Sequence, residues 1–522
     1  MTLGRADDLS KRTFLMTQST TIADLLATVP AERPAFAAPG EPVLSHGELR
    51  RLCREAGAWL NQRAIGRNDR VAIVLPNGPA MATAFVAIAQ AATTAPLNPA
   101  YREDEFDFYL GDLAARALIV AAGGETPARA VAARRGIPVI ELTTLPGGAG
   151  RFTLSGEGPG SSGGPPGPAA ADDVALVLHT SGTTARPKMV PLTQANLVAS
   201  ARHIGETLAL TPADRCLNIM PLFHIHGLIG CVTASLAAGA SVFCTPGFNA
   251  LRFFAWLAEA GASWYSAVPT MHQAILARAE RNREAMAGYP LRFIRSSSAS
   301  LPPQVMAALE AAFGCPVIES YGMTEATHQM TSNPLPPAPR RPGTVGPAAG
   351  PEVAIMDEAG RRLPAGAIGE VVIRGPNVTP GYHANPAANE QAFAHSWFHT
   401  GDQGMLDGEG YLTITGRLKE LINRGGEKIS PREVDEVLLD HPAVAQVVTF
   451  AVPHDKLGEE VAAAVVLQDG AAAGERELRD FVAGRLADFK VPRRIIFLAE
   501  IPKGATGKLQ RIGLAAKLGL TA

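Results

Sequence analysis

The sequence predicts an α/β protein with a large compound domain followed by a small α/β one. Three observations carry this reading. The 522 residues exceed what one hydrophobic core usually organises, so at least two domains are expected. Short apolar runs such as Val71–Leu75 and Ala117–Val120 alternate with Ala-rich stretches, the pattern of buried parallel strands connected by helices. Near Gly416–Lys419 strand-like Tyr411–Thr415 gives way to a charged segment, and a second, shorter α/β series begins. No internal repeat is present.

Along the chain, the first residues carry mixed charges (Arg5, Asp7, Asp8, Lys11, Arg12) rather than a basic flank and an apolar core, so no secretory signal is read; Met1 and Met16 both suit a start. Between Pro146 and Ala171, Gly, Pro and Ser dominate, which predicts an exposed connector. The strand Val174–Leu178 follows and runs into the loop His179–Lys188, at the end of a strand where ligands usually sit in α/β sheets. Beyond the boundary, Pro431–Leu439 has helical spacing, with Ser430 as N-cap and Pro431 at the first helical position. Strands at Val444–Pro453 and Val461–Leu467 and a helix around Glu475–Leu486 complete the small unit.

Composition removes several classes of function. With 47 basic and 49 acidic residues, no bulk field recruits nucleic acid or an anionic membrane, so any phosphate recognition is local. Cys53, Cys216, Cys231, Cys244 and Cys315 are scattered and odd in number without a C-x-x-C pair, which argues against a disulfide framework and a zinc site and favours a reducing cytosol. No apolar run is long enough to insert stably in a membrane, and the Leu520–Ala522 ending is not a peroxisomal address, so a cytoplasmic location is expected. Nothing in the sequence fixes an oligomeric state.

The loop from Thr180 through Ser181, Gly182, Thr183 and Thr184 to Lys188 suits a polyphosphate. Hydroxyls and backbone N–H groups converge on anionic oxygens, glycine admits close approach, and lysine adds charge. Taken alone, the same residues also describe a plain turn. Five further segments decide between these readings: Tyr321-Gly322-Met323-Thr324-Glu325, Thr400-Gly401-Asp402, Gly416–Glu420, Gly425–Ile429 and Pro502–Lys508. In their order and spacing, the six motifs resemble those of the adenylate-forming superfamily of acyl-CoA synthetases, adenylation domains and firefly-type luciferases, over nearly the whole chain.

The resemblance implies an N-terminal AMP-binding domain of βα subdomains over residues 1–416, a hinge at 417–419 centred on Lys419, and a mobile C-terminal lid over 420–522. It implies ATP, Mg²⁺ and CoA as the small molecules used beside a small-molecule acid. By the same resemblance Thr183, Thr184 and Lys188 hold the β- and γ-phosphates, Thr324 touches the α-phosphate, Glu325 ligates Mg²⁺, and Tyr321 and Gly322 line the nucleotide. Asp402 accepts the ribose hydroxyls, Arg417 contacts ribose or phosphate, and Lys508 bridges the acid and the α-phosphate during adenylation. Gly425 and Gly426 border the tunnel for the CoA thiol arm. Ala185 and Met189 stand where this family usually has glycine, while the hydroxyls and the cation stay.

The acid is read from residues that depart from the family. Arg295–Leu301 replaces the common Gly-Ala-Ala-Pro pattern, and Ala326-Thr327-His328 stands where a glycine often opens space for an apolar tail. Both changes favour a small polar pocket, and a fatty chain would strand its donors at about 1–3 kcal/mol per unpaired group. Trp264–Gln273, Arg292–Leu301 and Met323–Pro334 resemble the oxalate–CoA ligases of plants and fungi. Oxalate retains a second carboxylate after activation, and His224, Ser297, Ser298 and His328 are the candidates to hold it. The superfamily places the adenine site at Ser298, Ala299 and Ser300, so these serines have two readings. His224 and His226 form a His-x-His pair without a third ligand nearby, so His226 is read as packing. A ligase for another short, fatty or aromatic acid, and an adenylation module that loads a carrier protein, are the alternatives.

Overall fold

A computed structural model of the chain describes residues 19–180, 187–503 and 509–520. Two large sheets share one apolar core. A seven-stranded sheet runs in the order Phe152–Ser155, Val139–Thr144, Ala117–Ala121, Arg70–Val74, Thr93–Pro96, Val174–Thr180, Lys188–Thr193. Its central strands are parallel and buried on both faces, as the continuous apolar runs predict. An eight-stranded sheet orders His328–Ser332, Val317–Met323, Phe293–Ser296, Trp264–Ala267, Arg215–Asn218, Ser241–Cys244, Pro34–Ala38, Glu41–Ser45.

The stretch from Pro146 to Ala171 differs from the expected exposed connector. Phe152–Ser155 within it forms the antiparallel edge strand against Val139–Thr144, because Phe152 and Leu154 alternate inward. The rest is tied down, with Arg67 N–H donating to Pro165 O at 2.9 Å and Gly164 N–H to Asp69 Oδ2 at 2.8 Å.

A four-stranded antiparallel sheet, Glu352–Met356, Ile368–Arg374, Phe398–Leu406 and Leu412–Arg417, precedes the small C-terminal unit. That unit has a five-stranded sheet built around the long hairpin Val444–His454 and Gly458–Leu467, covered by the helices Pro431–Leu439 and Glu475–Ala483. The second helix stops at Ala483, three residues before the expected end, where the weak helix former Gly484 follows. Ser430 occupies the N-cap position in extended conformation without a capping hydrogen bond. Its hydroxyl instead donates to Thr415 O, joining this helix to the last strand of the four-stranded sheet. Among the described residues no helix is long and apolar enough to cross a membrane.

In the eight-stranded sheet, the five strands from Ser241–Cys244 to Val317–Met323 are mutually parallel. Their carboxyl ends therefore lie on one edge, and the segments that leave it include Ser297–Ser300 and Thr324–Glu325. An open parallel sheet places ligands at this edge.

Candidate active site

Val174–Thr180 and Lys188–Thr193 form an antiparallel hairpin in which Thr180 pairs with Lys188, so these two residues stand at the mouth of the hydroxyl-rich loop. Ser181, Gly182, Thr183 and Thr184 lie outside the described residues, as does Lys508. Met189 has an evident role in place of glycine: it is buried in the core beside Val177. Lys188 lies 4.4 Å above the Tyr382 ring. The Tyr382 hydroxyl donates to Glu325 Oε1 at 2.9 Å. Burial lowers the Lys188 ammonium, aided by the charge on Lys419 and opposed by Glu325. Burial raises Glu325, against the Tyr382 hydrogen bond and the charges on Lys188 and Arg417. Lys188, Tyr382, Glu325, Arg417 and Lys419 thus share one electrostatic neighbourhood.

Tyr321 and Asp402 meet across the boundary between the eight-stranded and four-stranded sheets. Tyr321 O–H donates to Asp402 Oδ2 at 2.5 Å, and Arg417 Nε donates to Oδ1 at 2.8 Å. Each carboxylate oxygen keeps a second lone pair for another donor. Asp402 holds the guanidinium of Arg417 above its ordinary range, and burial together with the Asp402 charge raises the Tyr321 phenol. Lys419 is exposed two residues after Arg417. Gly322 is required sterically: any Cβ there would overlap His328 O on the neighbouring strand. Thr324 is half-buried, and its carbonyl accepts from Thr327 N–H at 2.9 Å, closing the turn between the strands.

That turn carries unusual backbone. Thr327 has φ +50° and His328 φ +101°, and Ser298 opposite has φ +75°. Left-handed conformations cost about 1–3 kcal/mol at non-glycine residues and persist only where the surroundings over-determine them. Here a buried amide does so. Asn377 Nδ2 donates to Ala326 O at 2.8 Å and Gln329 O at 3.0 Å, Thr327 Oγ1 donates to Asn377 O at 2.7 Å, and Ser200 Oγ to Thr327 O at 2.5 Å.

The imidazoles gather at this strained turn. His226 opens a fully buried π-helix, His226–Thr233, a rare element that often marks function. Its Nε2 lies 2.6 Å from Ser266 Oγ and its Nδ1 3.1 Å from Ser298 Oγ, and its ring packs 4.9 Å from that of His328. His224 accepts from His226 N–H through Nδ1 at 3.4 Å. Ala299 is exposed and Ser300 half-buried beside Ser298. Ser297 does not join this group. It is fully buried and spends its single hydroxyl proton on Ser320 O at 3.0 Å, so it has none for a bound acid.

Gly425 and Gly426 lie in the two-residue turn between Ile422–Arg424 and Glu427–Ile429. Their φ values of +61° and +99° give them a conformational requirement for glycine besides any thiol passage.

The family models agree with this arrangement: one described as AMP-binding enzyme matches residues 25–383, and one described as AMP-binding enzyme C-terminal domain matches 433–508. The chain belongs to the AMP-binding enzyme family. Within it, the chain is 46% identical over 510 residues to a probable CoA ligase of Humulus lupulus, covering 95% of this chain and 96% of that one. It is 45% identical over 508 residues to an oxalate–CoA ligase of Arabidopsis thaliana, covering 94% and 98%. The crystal structure of ATP-bound MatB from Rhodopseudomonas palustris superimposes with a TM-score of 0.86 at 29% identity, covering 96% of this AMP-binding enzyme and 99% of MatB.

Four residues of the site escape motif reading. Tyr382 and Asn377 fall between the motifs and carry no spacing signal. His226 reads as packing, yet it touches Ser298. Arg295 does leave a trace, as a charge inside the otherwise uncharged strand Phe293–Ser296.

Proposed function

We propose that this AMP-binding enzyme is an ATP-dependent oxalate–CoA ligase, converting oxalate, ATP and CoA to oxalyl-CoA, AMP and diphosphate through an oxalyl-adenylate. The observation that carries the reading is the buried polar cluster at the turn that follows Glu325. His226, His328 and Arg295 are all buried there, and Arg295 is a cation with no carboxylate partner among the described residues, a setting that suits an anionic acid better than a methylene chain. In the first step an oxalate oxygen bonds to the α-phosphorus as the bond to the bridging oxygen breaks and diphosphate leaves. In the second the CoA thiolate attacks the activated carbonyl and AMP departs. Alignment and charge neutralisation supply most of such catalysis.

In this reading Thr180 to Lys188 hold the β- and γ-phosphates, Thr324 the α-phosphate, and Asp402 the ribose hydroxyls on its remaining lone pairs, with Arg417 and Tyr321 keeping that carboxylate oriented. Ser298, Ala299 and Ser300 border the base, and Ser298 reaches the acid through His226. His224 and His328 face the acid. Glu325 offers a hard carboxylate oxygen suited to Mg²⁺, which when bound with ATP neutralises phosphate charge. Residues 1–416 carry acid and ATP, and 420–522 swing as a lid about Lys419, bringing Lys508 in for adenylation and Gly425-Gly426 in for the thiol. Incubation with ATP, Mg²⁺, CoA and oxalate should yield AMP and oxalyl-CoA by mass spectrometry. AMP formation that depends on oxalate but never on CoA would instead favour a carrier-loading enzyme.

A further inference from the structure

Arg295 is the odd charge of this molecule. Its side chain is fully buried, Nη1 donates to His328 Nε2 at 3.0 Å, Nη2 donates to Gln329 Oε1 at 3.0 Å, and Nε has no partner among the described residues. Among the described residues no carboxylate forms an ion pair with it, and the ionisable groups that act on it are the thiols of Cys231 and Cys216. Burial lowers the guanidinium to about 10, which still leaves it a cation at neutral pH. A charge kept in the interior without a counter-charge is costly, and such sites are normally completed by something of opposite sign.

The geometry also determines the state of His328. A guanidinium has donors only, so Nε2 of His328 must accept, and the neutral ring carries its proton on Nδ1. Close packing protects this arrangement. A Cβ on Gly230 of the π-helix would overlap the His328 ring and come within 3.1 Å of Arg295 Nη1, so glycine is what leaves room for the pair.

We propose that Arg295 is the positioning residue by which the site selects an acid with a second carboxylate. It fixes His328 as a neutral Nδ1–H donor and supplies behind it a positive charge that the substrate's unreacted carboxylate balances through the whole reaction. A monocarboxylate loses its only charge on adenylation and leaves Arg295 uncompensated. This inference rests on the oxalate reading above.

The test measures kcat/KM by diphosphate release for oxalate and for glyoxylate, which has the same two-carbon skeleton and one carboxylate, together with KM for ATP. Wild type, Arg295→Met, Arg295→Lys and Gly230→Ala are compared. Arg295→Met is expected to lower kcat/KM for oxalate by roughly tenfold to a hundredfold, as losing a charged buried contact does, and that for glyoxylate much less, so that the oxalate-to-glyoxylate ratio falls while KM for ATP changes little. Arg295→Lys should recover part of the loss because the charge returns without the two-pronged grip on His328 and Gln329. Gly230→Ala should reduce the oxalate-to-glyoxylate ratio by displacing His328. Should Arg295→Met fail to fold, the other two variants decide on the same ratio. A fall of both acids together, or an unchanged ratio, overturns the role of Arg295. A wild-type enzyme without preference for oxalate overturns the oxalate reading itself.

Discussion

On one side of Glu325, Tyr321, Asp402 and Arg417 form a compensated set, in which a 7% exposed carboxylate faces a guanidinium that is 43% exposed. On the other side, Arg295 and His328 are buried, the cation has no carboxylate among the described residues, and the backbone at Thr327 and His328 is left-handed. In the proposed function, the first set receives a nucleotide by adding donors to the remaining lone pairs of Asp402. The second is a buried cluster whose charge, in the proposed function, the bound acid completes. In the proposed function, charge neutralised within the protein serves a general nucleotide site, and charge left open serves a selective acid site. The two halves therefore should respond to substitution in different parameters.

The largest separation is expected from Lys508→Ala. On the role proposed for Lys508, losing its charge should slow adenylation by at least about a hundredfold, with much less effect on thioester formation from supplied oxalyl-adenylate. Equal losses in the two half-reactions would remove the distinction between lid poses. Asp402→Asn comes next. On the role proposed for Asp402, it weakens charge-assisted contacts to ribose and should raise KM for ATP by on the order of tenfold or more, leaving KM for the acid nearly constant. An equal rise for both substrates would mean that the halves are not separable.

Asn377→Ala probes the strained side. It removes the amide that holds Ala326 O and Gln329 O and exposes the cost of the Thr327 and His328 conformations, so a stability loss of about 1–3 kcal/mol is expected in denaturant titrations. It should also lower kcat/KM for the acid more than for ATP. The smallest effect concerns Glu319, on the strand Val317–Met323 that underlies both halves. Burial raises its carboxyl to about 7, opposed by the Leu301 N–H bond and the charge on Arg432 of the C-terminal unit. The folded value exceeds the unfolded one, so the proton stabilises the fold fully below pH about 4.5, and this contribution is lost as pH rises through about 7. Glu319→Gln should therefore gain on the order of 1 kcal/mol over wild type at pH 8 and flatten the slope between these limits. A wild-type stability that is flat there would refute the buried protonated carboxyl.

Legibility in the sequence follows the same division. The parallel strands and the late α/β unit are written in apolar runs and helix signals that act locally. Motif spacing singles out Asp402 and Arg417, and the sheets bring them together. The acid side depends on contacts between residues far apart in the chain, such as Arg295 with His328, Gly230 with both, and Asn377 with the turn at Thr327. Periodicity carries no information about these. Ser297 shows the reverse failure: a hydroxyl in the right string is consumed by Ser320 O. Phe152–Ser155 shows that two alternating apolar residues suffice to make an edge strand inside a Gly- and Pro-rich stretch.

The central claim is tested most directly by ranking kcat/KM for oxalate, malonate, acetate, a medium-chain fatty acid and a cinnamate-type acid, each with and without CoA. The account predicts strong, CoA-supported turnover on oxalate and little on the apolar acids. Preference for a fatty or aromatic acid would contradict the proposed acid site at Arg295 and His328 while leaving the family assignment intact.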